Sequence, residues 1–369
     1  MNADFDVLLA GGGHSHLGVL RQWASRDRPA GRIGLVSAEP HAWYSGMMPG
    51  LIAEHYQTRD CRVALPKLCA AAEVEFIQGT LVALLPETPE LLLATGETLR
   101  STWLSLNLGS LPWMPEQTDD GMELLSVKPF ADFIRRWQQW QEIPEPVGIV
   151  GGGAAGVELA LAMAGRVPAI DLFCADDLLA GHSPRLRRLA LRHLQEAKVQ
   201  VHEHTPIQTV HGSTLVGEGQ VRWRGRRLIV ATGPSPLGWL RESGLRVDRR
   251  GFIEISASLQ SRSHPHVFAS GDCASLPGAV HNGVHAVRQA SVLATNLTRA
   301  SIGQPLRHYH PQSHSLALLS DGQHGALLSW GGVAAEATIR CSIQQVHAAM
   351  AATAQCKGKL GRGRLGSLA

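Results

Sequence analysis

The chain has 369 residues, 44% of them hydrophobic and 18% charged, with a formal net charge of +3. That length holds two or three domains with full cores, and so small a charge gives no sign of a nucleic-acid partner. Six cysteines, Cys61, Cys69, Cys174, Cys273, Cys341 and Cys356, form no C-x-x-C pair and no zinc-like cluster, so they read as reduced thiols of a cytoplasmic protein.

The N-terminus carries Asp4 and Asp6 ahead of its apolar run, unlike a signal peptide. No apolar segment reaches the roughly 18 to 20 residues of a membrane span. Peripheral contact at the inner membrane face stays compatible with that.

Phe5 to Ala10 reads as a buried parallel strand running into a turn, Gly11-Gly12-Gly13, and a helix over Leu17 to Ser25. Gly11 and Gly13 stand in the first two glycine positions of the G-x-G-x-x-G fingerprint that lays a pyrophosphate on a helix N-terminus, with His14 and Ser15 beside it. His16 takes the third position, so this helix should stand further from its strand. His14 and His16 read as polar groups at a helix start, not as metal ligands, because no further ligands lie nearby.

The second strand, Arg32 onward, ends at Glu39, where a carboxylate is placed to accept hydrogen bonds from a ribose. His41 to Ala53 follows as an apolar loop and helix containing Ser45, Met47, Met48 and Pro49. It is open to two readings, core packing and cofactor contact. Strand alternation marks Glu73 to Leu85, with Val82 inside it, and Leu91 to Thr102 reads as a hairpin. Trp103 to Ser110 is a strand entering a turn at Gly109. Pro112, Pro115 and the acidic stretch to Gly121 read as a crossing linker.

Lys128 to Gln141 is helical, with Trp137 and Trp140 on its packing side. Next comes Val147-Gly-Ile-Val-Gly-Gly-Gly-Ala-Ala-Gly-Val-Glu-Leu-Ala, a complete fingerprint at Gly151, Gly153 and Gly156. Ala154, Ala155 and Glu158 lie on the helix that it opens. Two such turns in one chain point to two nucleotides held face to face, and therefore to electron transfer. The next strand ends at Cys174, where a ribose-binding acid is expected, with Asp176 and Asp177 beyond. Both NADH and NADPH stay open, and the lack of an arginine cluster before Arg185 favours NADH. Ser183 to Ala197 is an arginine-rich helix with a solvated face. Gln200 to His204 is strand-like, which puts His202 and His204 on one side. Arg226 to Pro236 is a buried strand with a turn at Gly233.

From about Val247 the pattern returns to the first domain. Val267 to Ala274 is a strand ending in Gly271-Asp272, an acid suited to a polyol hydroxyl, followed by a helix over Asn282 to Leu297. Leu316 to Leu319 and Ala326 to Trp330 form a hairpin around Asp321-Gly322. The basic, glycine-rich tail 355–369 reads as disordered.

Gly11/Gly13, Glu39, Gly151/Gly153/Gly156, Ala231-Thr-Gly233 and Gly271-Asp272, in that order over about Val7 to Leu297, resemble the two-dinucleotide-binding-domain flavoproteins of the pyridine nucleotide-disulfide oxidoreductase superfamily. Pro40 to Gly50 and Gly181-His-Ser-Pro-Arg look closest to its NADH dehydrogenase-like group, found alone or fused ahead of selenide, water dikinase. The resemblance implies an α/β fold of two Rossmann-like domains. The FAD domain spans 1–115 and 247–303; the NAD(P)H domain, 116–246, is inserted in it; a short α+β extension, 304–369, follows.

The resemblance also implies FAD as cofactor, NADH or NADPH as co-substrate, and a small electron acceptor as partner. Glu39 would hold the adenosine ribose and Asp272 the ribityl chain. The helix start at Gly283 and Val284, reaching Val287, would face the flavin pyrimidine end, and Glu158 would sit near the nicotinamide. Pro49, Val82 and Gly109 are further candidate cofactor contacts. No redox-active cysteine pair stands in the loop after Glu39, so electrons would pass directly through the flavin to a quinone-like acceptor. The expected function is that of an FAD-dependent NAD(P)H oxidoreductase. The departures at His16 and Cys174 leave a redox sensor or partner-binding flavoprotein with little turnover as an alternative. Family analogy alone adds sulfide- or selenium-linked chemistry, with Cys273 as its thiol.

Overall fold

Phe5–Ala10 is the central strand of the first domain, pairing in parallel with Ile33–Ser37 on one side and Thr98–Leu106 on the other. Its last four residues are all buried, as a parallel strand covered on both faces requires. Glu75–Gln78 extends this sheet beyond Ile33–Ser37, and Val267–Ala269 joins Thr98–Leu106, also in parallel. Glu90–Leu93 and Leu81–Leu85 continue it as antiparallel strands. Helices His14–Ser25 and Gly283–Ser301 pack against each other, with Gly18 so near Ala290 that a side chain there would overlap it. This is a computed structural model; it describes residues 4–25, 28–312, 316–330 and 333–338, all within one compact unit.

The chain leaves the first sheet after Leu106, builds a second parallel sheet, and is back in the first core by Leu240 and Leu245, before Val267–Ala269 rejoins the first sheet. The second sheet runs Glu123–Ser126, Arg227–Val230, Val147–Val150, Ile170–Phe173, Gln200–His202. The crossing linker is stitched down on the way. Leu111–Pro112 pairs with Pro234–Ser235, and Glu116–Gln117 with Thr209–His211. Helix Phe130–Glu142 buries Trp137 and Trp140, the latter donating its indole N–H to Glu123 Oε2 at 2.7 Å.

The structure settles the loop after Glu39 as core, changes the reading of His202 and His204, and describes part of the C-terminal extension. Met48–Ile52 is a short helix whose Met48 and Ile52, with the following Ala53, belong to the core of the second domain, so this loop joins the two domains. His202 and His204 do not share a strand face: the strand ends at His202, which bonds Asp171 at 2.8 Å, while His204 has φ +52° and pairs with Asp177. The described part of the C-terminal extension is all β, a hairpin of Ala317–Ser320 and Gly325–Trp330 carrying a third strand, Val333–Thr338. The tail 355–369 and Cys341 and Cys356 lie outside the described residues. Among the described residues no helix is long and apolar enough to cross a membrane, and no group of three or more His, Cys, Asp or Glu could hold a metal ion.

Candidate active site

Two parallel sheets end in glycine turns, and the helices after them decide what can bind. At the second turn Gly153 is the N-cap of helix Ala154–Met163 and provides no side-chain cap. Among the described residues the amides of Ala154, Ala155 and Gly156 meet no protein acceptor, since the first bond of the helix is Val157 N to Gly153 O. Gly153 and Ala155 are exposed, and a Cβ at Gly153 would meet nothing within 4 Å. This is an anion cradle with its donors unspent. Gly151, at φ +129°, lies against the Ala231 carbonyl, and Gly156 lies against that of Gly151; a Cβ at either would overlap backbone. Gly233, exposed, accepts from Trp113 N at 3.1 Å on the same rim.

The first turn is more occupied. Asn107, buried at the end of Thr98–Leu106, accepts from Ser15 N at 3.1 Å and His16 N at 3.4 Å. Its Nδ2 donates to Ser270 O at 2.8 Å, which pins the turn to the strand end before Asp272. A side chain at Gly11 or Gly13 would collide with Asn107, so both glycines are needed for internal packing. The amides of Gly12, Gly13 and His14 keep no protein acceptor among the described residues. Ser15 is turned inward, its hydroxyl donating to Ala286 O at 2.7 Å. His16 is fully buried between Gly11 O (2.7 Å) and Ser105 Oγ (2.8 Å), and burial depresses its pKa to about 4. The imidazole is therefore neutral, with Nδ1 donating to the carbonyl and Nε2 accepting from the hydroxyl.

Around these turns gather the remaining residues. Gly271, at φ +67°, donates its amide to Gln289 Oε1 at 2.7 Å, and Asp272 follows it. The Asp272 carboxylate receives Lys128 Nζ at 3.0 Å and Ser110 Oγ at 3.4 Å, with Lys128 also on Ser110 at 3.1 Å. Lys128 comes from the second domain, so this pair closes the junction between the sheets. Gly109, at φ +72°, turns the chain just before Ser110, with open space where its Cβ would be. Helix Gly283–Ser301 starts with Asn282 capping His285 N at 3.0 Å; the amides of Gly283 and Val284 stay unpaired among the described residues. Glu39 is exposed two residues past Ile33–Ser37. Val82 is the bulged residue of Leu81–Leu85, near Gly79, whose amide donates to Ser37 O at 3.0 Å.

Pro49 is buried in the helix Met48–Ile52, which packs on Ala154–Met163. Just before that helix, Tyr44 meets the His14 ring edge-on at 5.4 Å. Burial and then the charge of Glu158 raise the pKa of the Tyr44 phenol. Glu158 accepts from Ser320 N at 2.8 Å, and burial pushes its pKa up to about 7 despite that bond. His14 is held below its usual range, chiefly by burial, with Asp272 opposing and Lys128 reinforcing.

All four described cysteines are buried and free. Burial pushes Cys61 and Cys273 to about 11, and Cys69 and Cys174 to about 12, so none is a thiolate at neutral pH. Cys273 donates to Ser270 O at 3.3 Å; a Cβ at Gly152 would overlap Cys174. The acids near Cys174 are bound as well, since Arg187 grips Glu203 with two contacts at 2.7 and 2.8 Å and reaches Asp177 at 3.4 Å. Sequence reasoning missed Asn107, Lys128, Tyr44 and Ser320. Only Lys128 left a trace, as a lone basic residue just before the proline that opens a helix.

Comparison with known proteins agrees with this geometry. A family model described as pyridine nucleotide-disulphide oxidoreductase matches residues 5–290. Ferroptosis suppressor protein 1 of Taeniopygia guttata is 26% identical over 274 residues, covering 68% of this chain and 69% of that protein. The sulfide:quinone oxidoreductase of Aquifex aeolicus superposes with a TM-score of 0.76 at 15% identity, over 95% of this chain and 89% of that one. The water-forming NADH oxidase of Lactobacillus brevis, bound to NADH, gives 0.74 at 17% identity, over 89% and 75%. At these identities the two structures speak for the fold alone.

Proposed function

The chain belongs to the pyridine nucleotide-disulphide oxidoreductase family, and on that premise we propose that it oxidises a reduced nicotinamide nucleotide through FAD and reduces a small quinone-class acceptor without a redox-active disulfide. FAD and a nicotinamide nucleotide are the cofactors of this family. The protein's groups fit both: two helix starts with unspent amides for the pyrophosphates, and a third at Gly283 for the anionic pyrimidine end. The chemistry supplied by the bound flavin is acceptance of hydride from the nicotinamide and release of two electrons to the acceptor.

The residues have distinct tasks. Glu39 and Asp272 accept hydrogen bonds from ribose and ribityl hydroxyls, and Lys128 fixes the Asp272 carboxylate from the side at 3.0 Å. Gly151 to Gly156 seat the nicotinamide nucleotide. A two-electron acceptor of the quinone class also takes up protons. Glu158, with a pKa of about 7, is the group that can hold one ready at neutral pH. The narrower kinship carried by Pro40–Gly50 and Gly181–Arg185 is part of the same proposal.

The observation that carries the reading is the open helix start at Gly153–Gly156 beside a near-neutral carboxyl, with no thiolate at neutral pH among the described residues. Sulfide- or selenium-linked chemistry at Cys273 finds no support, because that thiol is buried and committed to Ser270 O. The departures at His16 and Cys174, which motivate a sensor, are both absorbed by local packing. The test is anaerobic stopped-flow on the purified flavoprotein. NADH or NADPH should bleach the flavin and a short-chain ubiquinone analogue should restore it. Glu158→Gln should leave the first step nearly unchanged and slow the second by about 100-fold; equal loss in both steps would count against the assigned role.

A further inference from the structure

The family match stops at residue 290, yet the chain goes on to contribute a group to the site. The C-terminal sheet packs Leu319, Leu327 and Ala334 into the core of the second domain, and Ala317–Ser320 is one of its edge strands. In an antiparallel pair successive N–H groups alternate toward and away from the partner. Asp321 N points to Gly325 O at 3.2 Å, so the Ser320 amide points out of the sheet, where it donates to Glu158 Oε1. Two further contacts hold the turn in place. Gly322, at φ +76°, lies so close to the Leu161 carbonyl that a Cβ would overlap it, and His324 stacks on His55 at 4.5 Å. Burial of Leu319 and Leu327 alone would anchor the sheet; it does not require the turn to be fixed at 320, 322 and 324.

We infer that this hairpin is a working part of the redox site, in which the Ser320 amide positions the Glu158 carboxyl and sets the pH at which it releases its proton. The inference rests on the reading that Glu158 protonates the acceptor. A fixed donor on Oε1 makes that oxygen the acceptor and leaves the acid proton on Oε2. The Ser320 amide bonds Glu158, and the Tyr44 phenol, from the loop after His41–Trp43, lies near enough to feel its charge. Burial raises the Glu158 pKa and the Ser320 amide opposes that rise. Proton delivery is simple acid dissociation: the Oε2–H bond breaks, the acceptor oxygen gains the proton, and water restores it. Ser320 is thus a positioning residue that acts through Glu158.

Ser320→Pro removes the donor where proline is tolerated, since the N–H leaves an edge strand outward. Ser320→Ala keeps the donor. Gly322→Ala drives the turn off Leu161 and with it the Ser320 amide off Glu158. Each holoprotein is reduced with NADH and reoxidised by a short-chain ubiquinone analogue across neutral pH. In the wild-type chain reoxidation should slow as pH rises through the Glu158 pKa, and S320A should match it. S320P should move that limb up by about half a pH unit or more, the worth of one hydrogen bond. G322A, which carries the Ser320 amide away with the turn, should move it in the same direction. A limb that stays in place in both S320P and G322A overturns the inference and leaves the reading of Glu158 standing. A wild-type chain without the limb, or an E158Q chain that keeps it, overturns that reading first.

Discussion

The imidazole of His16 and the missing side chain of Gly156 meet the same demand by different means. Both follow the first glycine of their turn by five residues and face its carbonyl, which Gly156 approaches by having no Cβ and His16 by donating to it. Removing that ring with His16→Ala leaves Gly11 O and Ser105 Oγ unpaired around a void. The cost should be about 2 to 4 kcal/mol in the denaturant midpoint. A histidine whose folded pKa lies below its unfolded 6.5 contributes stability that is present above pH 6.5 and lost as pH falls toward about 4. Glu158 works with the opposite sign: its folded pKa is raised from 4.5 to about 7, so its contribution is full below pH 4.5 and lost as pH rises toward 7. Acid unfolding of H16A should therefore show a flatter slope between pH 6.5 and 4 than the wild-type chain, and E158Q a flatter slope between 4.5 and 7. Lys128 is half exposed, so its pair with Asp272 is partly screened. Lys128→Met should weaken FAD retention only several-fold, read by fluorescence titration. The glycines and Asp272 are legible in the sequence because backbone geometry forces their residue type and spacing. Asn107 and Lys128 are not, because their partners stand 163 and 144 residues away and no local rule links them.

At the scale of elements, the strand–turn–helix units announce themselves through short buried runs followed at once by glycine. The segment Met48–Ile52 shows the limit of such reading. Its apolar residues fix that it is buried but not against which domain, and it proves to fill the core of the second. His204 escapes the strand pattern because it turns to positive φ, which composition does not reveal. The open helix start at Ala154 gives the cleanest element-level test. Ala155 is exposed there, and Ala155→Glu puts a negative charge where the unspent amides await a pyrophosphate. The KM for NADH should rise by about tenfold or more with flavin content unchanged. An unaltered KM would place the nicotinamide nucleotide elsewhere.

The described residues form two Rossmann-like units joined by Lys128–Asp272 and by the loop 41–53, with the C-terminal sheet packed on the second. The parallel sheets follow from the sequence because their buried runs and crossover lengths leave few alternatives. The third C-terminal strand does not, since Val333–Thr338 lacks the alternation that marks a half-buried strand. The function rests on the two domains presenting two nucleotides to one another. The most direct measurement is an absorbance titration of the purified, FAD-loaded protein with NADH and NADPH in the absence of oxygen. The account predicts a bound flavin spectrum that bleaches with at least one of them. A chain that fails to take up FAD, or a bound flavin that stays oxidised with both, would contradict it.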